Sequence, residues 1–431
     1  MQKVDLQINA RWVLPIYGQQ NGKKNIALEN HAVVIDQAAV KAVLPIHEAA
    51  QIYQASKQIN LDKHILLPSL TNHHCSLGAS AFHHIGFDLP SNLRLQNHLL
   101  PLQQKHLSTE LIEIASELSI AGLFKSGSGS FNSHYLSPKV SAKIAHKHSV
   151  TANFAYPITG NSFGQDHKVA EQLAAALQLR DDFKHRPGIS FSLAIDSLNQ
   201  LEDSQLSKIA AISNELDLKL EVNLNPISNT VKTNSAQTSF NRLKRFGLFS
   251  PALKLHHLSS INRNDLEFIA KTKTFCTISP QAQLMHSSSL APLSALLNLD
   301  ATLGLATDNY LSSNLNILKE LSLAAWLGKL EAGSAQVLSA IKLLKMALMP
   351  LSSALKTSAI SNGIPANLCA IELSSDNNNC DPFEQIVYTA NQQKVSHLWV
   401  NGQVKVNDYQ LTDIDESYLR KSLGSWQQKF K

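Results

Sequence analysis

The segment Leu67-Pro68-Ser69-Leu70-Thr71-Asn72-His73-His74-Cys75-Ser76 gathers metal-binding side-chain types on one strand-like run. Residues two apart on a strand face the same side. Two imidazoles at that spacing can grip one divalent ion. Here His74 shares its face with Ser76, and His73 shares the opposite face with Cys75. A serine hydroxyl is a poor zinc ligand beside imidazole. Histidine with thiolate is good zinc chemistry, so a one-residue register slip would offer His73 and Cys75 instead. The same alternation separates His256 from His257 in Leu255-His-His-Leu258.

Such groups act only if a scaffold aims them. From about residue 66, apolar strand-like runs alternate with amphipathic helical stretches. The strands are 150–156, 189–194, 218–223, 253–258, 275–278 and 301–307, and the helices include 109–121, 139–148, 167–179, 204–215 and 264–271. Strand, helix, strand at this spacing predicts an α/β fold with a parallel sheet and helical crossovers. Seven or eight such units over about 290 residues predict a (β/α)8 barrel. Two more helices, 315–330 and 334–349, follow, and Pro350 ends the second.

Both chain ends read as β-rich. Strands are expected at 4–8, 32–36, 39–44 and from Ile65, with a short helix in 44–56. They return at 368–373, 386–390, 395–400 and 403–406, where Asn401-Gly402 is a hairpin signal. The prediction is a small β-sandwich domain built from both ends, residues 1–65 and 359–431, flanking a barrel over 66–358.

The chain has 431 residues, 44% of them apolar and 16% charged, which suits a globular enzyme-like protein. Net charge is +5 without a basic block, and short clusters such as Lys23-Lys24 and Arg242-Leu-Lys-Arg245 read as solvated surface. No nucleic-acid partner is expected. No apolar run approaches the roughly 18–20 residues of a membrane span, and Met1-Gln-Lys-Val-Asp-Leu6 lacks an apolar signal core. The four cysteines, Cys75, Cys276, Cys369 and Cys380, show no paired spacing, so reduced thiols in a cytoplasmic protein are expected.

Several further motifs carry a family resemblance. They are Ala10-Arg-Trp-Val-Leu-Pro15, Asp88-Leu-Pro90 with Leu95-Gln96 and His98, Ser130-Phe-Asn132, Asp381-Pro382 with Gln385 and Val387-Tyr388, and Val395-Ser-His397 with Trp399-Val400 and Gly402. Together with the His74 segment, they make the chain resemble the amidohydrolase superfamily. The resemblance is to its chlorohydrolase and cytosine-deaminase-like branch, and within that to 5-methylthioadenosine/S-adenosylhomocysteine deaminases. It implies zinc held by two histidines on strand 1, one on strand 5 and an aspartate on strand 8. It also implies a histidine on strand 6 and a proton-shuttling glutamate after strand 5. The metal would lower the pKa of bound water, and the glutamate would carry its proton to the leaving ammonia.

Residue by residue, the resemblance places His74 and Asp308 at metal positions and His257 at the strand-6 catalytic position. Ser76 and Asn223 stand at the other two metal positions, and Pro226 at the glutamate. Asp196 stands at a substrate-side histidine, Arg94 at a tryptophan of the first loop, and Ser69 and Asn309 at glycines. Pro68 and Asn72 fix the frame against the His73/Cys75 slip. His256 is expected to pack outside the barrel, His83-His84 to lie at the surface above the mouth, and His98 and His134 to be possible pocket lining. Asp308 can also serve as a paired remnant with His74 or His257.

The expectation is therefore a deaminase-like homologue of adenosine-type nucleoside enzymes that is catalytically impaired or inactive, with the zinc that the resemblance implies held weakly or absent, while a nucleoside-like small molecule remains the expected ligand. The alternative is an active hydrolase of C–N (non-peptide) bonds with a rebuilt metal site. A plain structural barrel is the third reading, and a homo-oligomer is inherited from the resemblance.

Overall fold

The structure, a computed structural model, describes residues 1–16, 26–82, 85–134, 137–159, 169–224, 235–259, 261–285, 290–308, 315–351, 359–373, 380–389 and 394–430. The first strands are β1 (Gln2–Val13), β2 (Leu28–Asp36), β3 (Ala39–Pro45) and β4 (Tyr53–Pro68). Eight strands follow with helical crossovers: β5 (Leu70–Cys75), β6 (Ser128–His134), β7 (Thr151–Ile158), β8 (Ile189–Ile195), β9 (Lys219–Asn223), β10 (Leu253–His256), β11 (Phe275–Ile278) and β12 (Leu303–Leu305). The last are β13 (Leu368–Glu372), β14 (Val395–Val400), β15 (Gln403–Asn407) and β16 (Gln410–Leu411).

Strands β5 to β12 form one sheet in sequence order, every neighbouring pair parallel. Its two edge strands meet through a seam. Asn72 Nδ2 donates to Thr307 Oγ1 at 2.9 Å, Asn72 Oδ1 accepts the Thr307 backbone N–H at 3.3 Å, and the Asp308 N–H donates to the His74 carbonyl at 3.0 Å. The result is the (β/α)8 barrel that the sequence predicts. Most of its strands are buried on both faces, as expected for a sheet covered by helices.

The two chain ends meet in one eight-stranded sheet of order β16-β15-β14-β13-β4-β1-β2-β3. Strand β13 joins the halves by pairing antiparallel with β4, Cys369 opposite Leu67. Ile8, Val33, Leu66, Leu368 and Trp399 are buried together in its core. Strand β4 begins at Tyr53, well before the expected Ile65. Its exposed early residues, among them Gln54, Lys57 and Gln58, mask the strand in the sequence.

Residues 386–389, expected as strand, belong instead to the helix Pro382–Tyr388 and its cap, and Ala390 lies outside the described residues. Asp381 caps that helix, accepting the N–H groups of Phe383 (2.7 Å) and Glu384 (3.4 Å), and Pro382 occupies its first turn. These start signals outweigh the β propensity of Ile386-Val387. Among the described residues no helix is long and apolar enough to cross a membrane.

Behind β12 the helix Ile317–Ala332 carries Glu320, which is wholly buried. One of its oxygens accepts the Gln281 N–H at 3.0 Å. Burial pushes this carboxyl up from 4.5 to about 8, with Asp308 adding to the rise. Between those two values the folded chain holds a proton that the unfolded chain has released, so stability falls as pH rises. We expect the Glu320→Gln variant, which keeps an acceptor for Gln281, to lose this component. Calorimetric Tm measured from about pH 5 to about pH 8 will fall less in the variant than in the wild type. Parallel curves would contradict the assignment.

Candidate active site

In a parallel barrel the C-terminal strand ends share one face, where functional side chains collect. His74 lies near the end of β5, His134 ends β6, and Asp196 directly follows β8. Asn223 ends β9, His256 ends β10 with His257 next, and Asp308 follows β12.

At this mouth His257 and Asp308 both take left-handed backbone angles, φ 56° and 48°. Aspartate adopts this region more readily than most residues. The two side chains pair, half-buried His257 Nε2 to buried Asp308 Oδ2 at 3.0 Å, and His74 Nε2 stands 3.9 Å from the other Asp308 oxygen. Burial opposes a charge on His257, yet the Asp308 carboxylate raises its pKa above the ordinary imidazole value. His74 is held well below that value by burial and by His256, so it is a neutral imidazole near pH 7. Its Nδ1 is buried without a hydrogen-bond partner among the described residues. Beside it, His134 Nε2 lies 3.3 Å from Asp196 Oδ1. The Ser76 hydroxyl donates to the His134 carbonyl.

One layer deeper sits Glu221, 1% exposed. Its Oε1 accepts from Ser192 Oγ (2.7 Å) and Asn153 Nδ2 (3.2 Å), and its Oε2 from Asn132 Nδ2 (2.8 Å). His256 Nε2 lies 3.1 Å from Oε2, and Lys254 Nζ 3.6 Å from Oε1. Burial works against ionisation of Glu221, but Lys254, His256 and the Ser192 hydroxyl hold it well below the usual carboxylate range. His256 is lowered to about 4, chiefly by burial, against the opposing pull of Glu221. Its Nδ1 lies 2.7 Å from Thr277 Oγ1. Neutral His256 therefore donates from Nε2 to Glu221 and accepts the Thr277 hydroxyl.

The structure thus brings together His74, His257 and Asp308, and sets Asp196 and His134 beside them as a pair. Asn223 is half-buried at the same face, with its Oδ1 unpartnered among the described residues. Pro226, His83, His84 and Asn309 lie outside the described residues.

His256 departs from expectation. It lies inside the barrel, its ring centroid 4.0 Å from that of His74. Strand β10 ends there, and the left-handed turn at His257 breaks the alternation that was to put the two rings on opposite faces. His73 also sits deep, with its ring 4.7 Å from that of Phe275 and its Nε2 2.9 Å from the Met349 carbonyl. An irregularity between Asn72 and Cys75 interrupts the period of β5. Gly304 makes room for this ring, since a Cβ there would stand 2.4 Å from it. Cys75 is buried in the apolar core, where burial pushes its thiol pKa up and keeps it protonated.

Glu221 is the residue that sequence reasoning missed. Its signal was a carboxylate two positions before Asn223, between Leu220 and Val222, which gives it the face of Asn223. His74, Glu221 and His256 each bring a ligand atom within 4.8 Å of the others, the one such group of three among the described residues.

The sequence of residues 65–405 matches the family model described as "Amidohydrolase family". The chain belongs to the amidohydrolase family. Two relatives named 5-methylthioadenosine/S-adenosylhomocysteine deaminase span it almost end to end. That of Teredinibacter turnerae is 24% identical over 99% of this chain and 98% of its own. That of Saccharophagus degradans is 24% identical over 99% and 97%. Among solved structures, an adenosine deaminase from Xanthomonas campestris with bound zinc superposes with a TM-score of 0.92 at 23% identity, covering 100% of this chain and 99% of that one. Atrazine chlorohydrolase from Arthrobacter aurescens in complex with zinc gives 0.84 at 18% identity, covering 98% and 99%. These two likenesses show the fold.

In this amidohydrolase the buried Glu221 cluster is open to disruption by single substitutions. Removing one partner of a buried ion pair leaves the other uncompensated, at a cost of about 3–5 kcal/mol. We expect Glu221→Leu to destabilise the chain by about that amount. Adding Lys254→Met is expected to restore part of the loss. A urea-unfolding double-mutant cycle checks this, and additive losses would show that Lys254 is not held by Glu221.

Proposed function

We propose that this amidohydrolase is a non-hydrolytic homologue that receives a nucleoside-like small molecule at the barrel mouth without deaminating it. The observation carrying this reading is the pairing at the mouth. The Asp308 carboxylate is engaged by His257, and the Ser76 hydroxyl is turned onto a backbone carbonyl. Of the four positions where the resemblance puts zinc ligands, only His74 and Asp308 carry good ones; Ser76 and Asn223 do not. Those residues do not fit a tightly held ion, and Pro226 has no group to move a proton. The nucleoside-like ligand is inferred from the names of the end-to-end relatives.

A second reading, a C–N hydrolase with a rebuilt metal site, is favoured by the convergence of His74, Glu221 and His256. Against it, each Glu221 oxygen already accepts donors from neighbouring strands, and an ion would have to displace some of them.

Plasma mass spectrometry of tag-free chain, purified without chelator and dialysed after zinc loading, separates the two. We expect zinc far below one per chain. We also expect no ammonia release from 5-methylthioadenosine or S-adenosylhomocysteine, with Asp308→Ala indistinguishable from wild type. One retained ion per chain with turnover abolished in Asp308→Ala would reverse the conclusion.

A further inference from the structure

Arg94 stands in the loop that leaves β5 on the mouth side of the barrel, at the end of the short helix Ser91–Arg94. The residue is 1% exposed. Its Nε donates to the Ile85 carbonyl at 2.5 Å, and its guanidinium carbon lies 4.5 Å from the Phe87 ring centroid. Gly86, at φ 65°, takes the left-handed turn that precedes the stacked Phe87. Both terminal nitrogens, Nη1 and Nη2, are buried without a hydrogen-bond partner among the described residues. Burial lowers the pKa of this side chain, and no carboxylate among the described residues raises it in return.

This is an unusual state for arginine. Its guanidinium stays charged at any ordinary pH and presents a planar fork of donors. Buried charges are normally paired, because an uncompensated one is costly. One edge of this fork is anchored and stacked, while the terminal nitrogens are left over. The partner that such a fork matches is a planar or tetrahedral oxyanion, bound by two parallel hydrogen bonds. Around it, Phe87, Leu89 and Leu93 are each more than a third exposed, at 39%, 38% and 44%. They offer apolar surface beside the cation.

We propose that Arg94 recognises an anionic oxygen group, a carboxylate or a phosphate, on the small molecule that the mouth receives. The proposal rests on the ligand-binding reading above and narrows it from neutral nucleosides to acidic ones. The guanidinium supplies the charge and the fork, Phe87 and the Ile85 carbonyl hold its plane, and the exposed apolar side chains meet the ligand's body.

The test uses the full chain and Arg94→Gln. Thermal unfolding is followed with inorganic phosphate or succinate, each against sodium chloride at matched ionic strength. Calorimetric titration compares adenosine, adenosine 5′-monophosphate and S-adenosylhomocysteine. Without added anion the variant is expected to be at least as stable as wild type, because an uncompensated charge is gone. Phosphate or succinate should raise the wild-type Tm and leave the variant unmoved. The anionic nucleosides should bind wild type about ten- to a hundredfold more tightly than adenosine, a preference that Arg94→Gln abolishes. Preference for the monophosphate assigns phosphate, and preference for the amino-acid thioether assigns carboxylate. An anion response without binding of any nucleoside supports the Arg94 site and removes the nucleoside reading. Nucleosides bound regardless of charge, with no difference between the two proteins, overturn the Arg94 site and leave that reading standing.

Discussion

One carboxylate holds the centre of this barrel. Glu221 on β9 collects hydrogen bonds from Asn132 on β6, Asn153 on β7, Ser192 on β8 and neutral His256 on β10, and an ion pair with Lys254 on β10. In a low-dielectric interior such bonds are strong when complete and expensive when broken. The cluster therefore fixes the relative heights of neighbouring strands, and with them the side chains one layer above. His256 shows the link most directly, because its ring lies against both Glu221 and His74.

Charge at the mouth is arranged by the same rule. Asp308 faces His257, and Asp196 faces His134, so each of these carboxylates meets an imidazole. Three neighbouring imidazoles meanwhile take different states. His257 is favoured as a cation by Asp308, whereas His74 and His256 are kept neutral by burial. The environment, not the residue type, assigns the role. Arg94 stands apart from this pairing, as a buried cation whose terminal nitrogens meet no acceptor among the described residues.

Much of this was legible in the sequence, and the exceptions share a cause. An apolar strand such as β7 announces itself because both faces are covered. Strand β4 does not, since its first half is solvated and reads as loop. His74, His257 and Asp308 could be placed from motif frames. His256 could not, because strand periodicity predicts facing only while the strand continues, and β10 ends in a left-handed turn. His73 escaped for a related reason, the irregularity within β5. Glu221 was hidden differently. A charged residue in a short strand resembles an edge or surface position until the strands on both sides are known to be covered. The helix at Pro382 was misjudged because two β-branched residues were given more weight than the capping aspartate before them.

The seam that closes the barrel has a consequence for how the chain reaches this state. Asn72 and Thr307 are 235 positions apart, and β4 must also wait for β13. Neither pairing is possible until most of the polypeptide has left the ribosome. The partners of Glu221, by contrast, all lie between Asn132 and His256. Loop-closure entropy favours the nearer contacts. The middle of the barrel, with its polar centre, can therefore assemble as an open parallel sheet, and the mouth is completed last. During synthesis the unpaired edges of β5 and β4 are the surfaces most in need of protection from wrong partners.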